Sequence, residues 1–74
     1  MDHAIDKLLR LTIQKRELDA LLRRMGFANE GGKGSHERWV KVGVGVIVLA
    51  THDKEVKPYQ LKQVITVLRN AGLL

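Results

Sequence analysis

The apolar residues of this chain change their spacing twice within 74 residues. Up to Met25 they recur at a helical period: Ile5, Leu8, Leu9 and Thr12, then Leu18, Leu21, Leu22 and Met25, each set at i, i+3, i+4, i+7. From Phe27 to Thr51 the period shortens to that of strands, with Phe27–Glu30, Ser35–Val42 and Val46–Ala50 as the segments. From Val56 onward the helical stripe returns in Leu61, Val64, Ile65 and Leu68, with Pro58 suited to a first turn and Gly72 to a C′ position. The order is α-β-β-β-α, and the simplest two-layer solution is an α+β fold: a three-stranded antiparallel sheet with helices on one face.

Length narrows the choice further. A chain of this size holds one domain and buries only about 60% of the surface its unfolded form exposes. With no cysteine, neither disulfides nor thiolate metal sites supplement the core, and cysteine catalysis is excluded. The aromatic set is Phe27, Trp39 and Tyr59, so the core is aliphatic. Trp39 is read as packing against the helices ahead of stacking on a base, and Tyr59 as half-buried. Asp2 suits a helix N-cap and Gly26 a C′ position. Between them one long helix and two helices both fit the pattern. Lys15 favours a break near Thr12, because a continuous stripe needs an apolar residue there. Alternation along the second strand puts Arg38, Val40 and Val42 on one face and Glu37, Trp39 and Lys41 on the other, which leaves the buried side open. The third strand is apolar on both faces and reads as the central one.

Thirteen Lys and Arg against eight Asp and Glu give a net charge of +5. That balance favours an anionic partner, either nucleic acid or an acidic protein surface. Asp6, Lys7 and Arg10 interrupt the first apolar residues, so no signal peptide is read. The longest uncharged run, Val42 to His52, is glycine-broken and far short of the ~20 residues of a membrane span. A cytoplasmic protein without a membrane partner is expected.

Were the anionic partner an RNA cleaved without a metal, the chain would need a base for the ribose 2′-OH, cations for the phosphorane charge and an acid for the leaving 5′-oxygen. Histidine suits the first role at neutral pH. His36 follows a glycine-rich basic loop in which Gly32, Gly34 and Ser35 can bring backbone N–H groups close to a phosphate. Lys33, Arg38 and Lys41 surround it with positive charge. Taken alone, His36 reads as an ordinary exposed strand residue. His52 stands equally well as a loop cap or an RNA contact, and His3 as a surface residue. Arg16, Arg23 and Arg24 read first as a solvated helix face, with RNA backbone and the acidic groups of a protein partner as the alternatives. His36, His52 and Asp53 do not have the spacing of a metal site, so no metal or other cofactor is expected. The run Gly31–Gly34 lacks the strand-to-helix context of nucleotide-binding loops, which excludes ATP or NAD.

Four segments in order carry a family resemblance: Arg24-Met25-Gly26-Phe27, Gly32-Lys33-Gly34-Ser35-His36, His52-Asp53-Lys54-Glu55-Val56-Lys57-Pro58 and Asn70-Ala71-Gly72-Leu73. Together they resemble the HicA toxins of bacterial toxin–antitoxin pairs, over about Lys15 to Leu74. The resemblance implies a double-stranded-RNA-binding-like α-β-β-β-α domain, an mRNA interferase acting without metal and silenced by a HicB-type antitoxin. It assigns the catalytic histidine to His36. An mRNA contact set of Lys33, Gly34, Ser35, Arg38, Lys41 and His52 is expected from it together with the basic loop. The expected domain is single, 1–74, with its core at about 15–74 and residues 1–14 as a helical extension. Two departures stand out. Ala50 replaces a proline common in the family, and Gln14 replaces the Ser or Thr that commonly opens a capping box. A non-catalytic RNA-binding module and a basic docking protein for an acidic partner are the alternatives.

Overall fold

A computed structural model of the chain describes residues 2–50 and 55–74. The N-terminal stretch forms two helices, α1 (His3–Leu9) and α2 (Lys15–Arg24), so the break near Thr12 is real. The Asp2 carboxylate caps α1, accepting from the Ala4 and Ile5 N–H groups at 2.9 and 3.3 Å. At α2 the Glu17 carboxylate accepts the Gln14 N–H at 3.2 Å, so half of a capping box forms without Ser or Thr.

All three helices end in the same way. At α2 the Gly26 N–H donates to the Arg23 carbonyl and the Phe27 N–H to the Leu22 carbonyl, the double bond pattern of a Schellman cap. The last helix, α3 (Pro58–Asn70), repeats it with Gly72 and Leu73. At α1 the left-handed position is taken by Leu11, with φ 61°, instead of a glycine.

Strands β1 (Ala28–Asn29), β2 (His36–Lys41) and β3 (Gly45–Ala50) make an antiparallel sheet in the order β1-β2-β3. His36 pairs with Ala50, Arg38 with Val48 and Trp39 with Ile47. The expectation that the third strand is central is therefore corrected: β2 lies in the middle and β3 at an edge. Its two apolar faces have a different cause. Ile47 and Leu49 enter the core, whereas Val46 and Val48 lie on the open face, 42% and 48% exposed. Apolar residues on both sides of a strand do not by themselves mean that both sides are covered.

The buried face of β2 carries Glu37, Trp39 and Lys41. Trp39 is fully buried with Leu18, Leu21, Leu22, Leu49, Leu61, Val64 and Leu68. Its charged neighbours are accommodated because each finds a partner. The Lys15 ammonium bonds Glu37 at 2.7 Å and both Asp19 oxygens at 2.6 and 2.8 Å. The Trp39 indole N–H donates to the same Glu37 oxygen at 3.1 Å, and the Arg23 guanidinium lies 5.3 Å from the indole centroid. Lys41 reaches the Met25 carbonyl at 2.6 Å, one of the groups a helix end leaves open. Helices thus cover one face of the sheet, as the α+β reading expects. Tyr59 departs from expectation: it is 59% exposed, because the stripe Leu61, Val64 and Leu68 sets the buried side of α3 and Tyr59 falls outside it. Among the described residues no helix is long and apolar enough to cross a membrane.

Candidate nucleic-acid interface

The uncovered face of the sheet presents His36, Arg38 and Val40 from β2 beside Val46, Val48 and Ala50 from β3. His36 is the first residue of β2 and is exposed. Arg38, two residues on, shares its face and is exposed too.

The loop that delivers His36 is built by local bonds. Past β1 the ladder continues for two residues: the Glu30 N–H donates to the Arg38 carbonyl at 2.8 Å, and the Arg38 N–H to the Gly31 carbonyl at 2.9 Å. The Asn29 side-chain oxygen then accepts the Gly31 N–H at 2.8 Å and turns the chain at Gly31, whose φ is 75°. Gly32 lies so close to β2 that a Cβ there would stand 2.3 Å from the His36 carbonyl oxygen, which leaves room for glycine alone. The His36 N–H closes the following turn on the Lys33 carbonyl at 3.3 Å, with Gly34 at φ 62°. Among the described residues the N–H groups of Gly32, Lys33, Gly34 and Ser35 meet no acceptor. Neither Lys33 nor Arg38 forms an ion pair among them. Unengaged amides and cations gathered on one turn are what an anion-binding loop consists of.

Of the residues expected at the interface, Lys33, Gly34, Ser35, His36 and Arg38 come together at this end of the sheet. Lys41 does not join them. It sits five residues along β2, about 17 Å away at the usual strand rise, on the opposite face, with its ammonium on the Met25 carbonyl. His52, and with it the His36, His52 and Asp53 set weighed as a metal site, lies outside the described residues. Two features of the loop are absent from the expected set. The Asn29 bond to Gly31 is foreshadowed in sequence only by an Asn two residues before a glycine. The contact that forbids a side chain at Gly32 has no sequence signal beyond the glycine itself.

Glu37, the neighbour of His36 on the other face, is held differently. Burial raises its pKa, but the hydrogen bonds from Lys15 and Trp39 and the Lys15 charge outweigh this and leave it below the usual 4.5.

A basic α+β domain with one helix-covered sheet face and one open face ending in a glycine-rich loop is a compact frame for an anionic ligand. The family model described as HicA toxin of bacterial toxin–antitoxin matches residues 16–73, and the chain belongs to that family. It is thus a toxin of a toxin–antitoxin system, and an antitoxin partner follows. No curated protein and no solved structure matches the chain. The match begins after α1 and leaves residues 1–15 outside it.

Proposed function

We propose that this toxin is a metal-independent endoribonuclease that cleaves mRNA in the cytoplasm, with His36 as its catalytic residue and a HicB-type antitoxin as its inhibitor. The observation that carries the reading is the setting of His36. It is an exposed imidazole at the start of a strand, next to a loop whose amides, with Lys33 and Arg38, meet no partner among the described residues. In the reaction, the imidazole takes the proton of a ribose 2′-OH and the 2′-oxygen attacks the adjacent phosphorus. The bond to the 5′-oxygen then breaks, that oxygen takes a proton, and a 2′,3′-cyclic phosphate remains. Lys33, Arg38 and the N–H groups of the loop balance the charge on the phosphorane. Gly34 and Ser35 act through their backbone N–H groups and Lys33 through its ammonium. Residues 1–14 are an extension to the toxin domain, which spans about 15–74.

The test is cleavage of an mRNA by His36→Ala toxin. The rate should fall by about 10²–10⁴, with an unchanged melting curve. Parent activity should persist in EDTA. Full activity in the variant overturns the role of His36, and loss of parent activity in EDTA overturns the metal-free mechanism.

A further inference from the structure

On the side of the molecule away from His36, α1 and α3 leave a groove of about 380 Å³. Leu9, Leu11 and Ile65 supply its apolar surface, and Lys62, Thr66 and Arg69 its polar edge. Lys62, Ile65, Thr66 and Arg69 stand at i, i+3, i+4, i+7, so they form a second stripe on α3 beside the one buried in the core. Leu9 is 45% exposed although it lies at the end of a helix that buries Leu8 completely.

The backbone supplies an independent observation. Leu11 occupies the left-handed position of the α1 cap, where α2 and α3 use glycine. For a residue with a Cβ this conformation is strained. Strain of this kind persists where the side chain it positions is needed, and here that side chain lines the groove.

We infer that this groove is a docking site for the antitoxin, receiving an acidic segment with an apolar side chain at its centre. The inference rests on the toxin–antitoxin reading. The chemistry of the groove selects the occupant. Lys62 and Arg69 are exposed and form no ion pair among the described residues, so the complementary segment is acidic. A second copy of this chain, with its +5 charge, meets repulsion at a basic rim. RNA finds no aromatic platform there, since the apolar part of the lining is Leu9, Leu11 and Ile65. Leu9 and Leu11 precede the family match while the α3 side of the groove lies inside it, so the extension completes this anchor and ties the toxin to its own antitoxin.

The experiment titrates a purified HicB-type antitoxin into His36→Ala toxin, with and without Leu9→Glu plus Lys62→Glu. The pair of groove substitutions should raise Kd about thirtyfold. Gln63→Glu, which adds negative charge on α3 outside the groove, should leave it unchanged. The two groove substitutions placed in the active toxin should leave RNA cleavage at the parent rate. Binding equal to the parent overturns the groove and leaves the antitoxin reading standing, provided circular dichroism shows both proteins folded. Failure of the parent itself to bind overturns the antitoxin reading and the groove with it. A concentration-dependent dimer that the groove substitutions abolish, or RNA affinity that they reduce, assigns the groove to those occupants instead and also overturns the inference.

Discussion

His36 and Glu37 are neighbours in sequence and opposites in setting. Glu37 points into the layer between sheet and helices, where Lys15, Asp19 and Trp39 hold it in a network. His36 points to the open face, exposed and led in by a glycine-rich loop. The two sides of one strand therefore divide the work. One anchors β2 against α2, and the other is left free for a ligand. The rigidity of the first gives the second its fixed position, because a strand cannot move one face without the other.

The sharpest way to break this division is Trp39→Ala. Loss of a fully buried indole should remove about 3–5 kcal/mol, a large share of what a domain this small has. Chemical denaturation should show it, and activity should vanish with the fold. If the variant melts like the parent, the indole is not the anchor.

Gly32→Ala comes next. Its methyl group collides with the His36 backbone, so the loop must shift, at about 1–3 kcal/mol. RNA cleavage should fall at least tenfold, by rough analogy with other misplacements of a reacting group. A variant with parent activity would mean that the loop does not position His36.

Glu37→Gln probes the buried network itself, with an expected loss of about 1 kcal/mol at neutral pH. The carboxyl has a lowered pKa in the folded state, so its contribution is full above its ordinary 4.5 and is lost as pH falls through the lower folded value. Asp2 and Glu17 are lowered too and share the acid limb. Thermal melts from about pH 6 to pH 3 should therefore show a shallower decline in the variant than in the parent. An identical decline would remove Glu37 from the network.

Lys33→Ala should have the smallest effect on stability, within about 0.5 kcal/mol. Its effect should appear in RNA binding, where the salt slope falls by about 0.7 for one lost single-strand contact. An unchanged slope would take Lys33 off the RNA path.

Sequence reasoning reached the element order because helical and strand periods are properties of the chain itself. The Gly26 and Gly72 caps were legible for the same reason: a glycine after an amphipathic stripe has a local meaning. The buried face of β2 was not legible. Glu37 and Lys41 look wrong for a core until Lys15 and the Met25 carbonyl, distant in sequence, arrive as their partners. The same gap affected β3, whose position in the sheet depends on which strand pairs with β1. At the site, the glycine and histidine pattern announced the loop, whereas the clash that reserves position 32 for glycine exists only once loop and strand meet.

The edge position of β3 has a consequence for handling the molecule. From Val42 to Ala50 there is no charge, and Val46 and Val48 face solvent. Natural sheets usually protect such a border with lysine, proline or a bulge. Without these gatekeepers, toxin stripped of its antitoxin has a surface on which misassembly can start. Concentrated free toxin should lose soluble material over time, and Val48→Lys should slow that loss. A companion protein would then act as a solubilising chaperone for the toxin as well as its inhibitor.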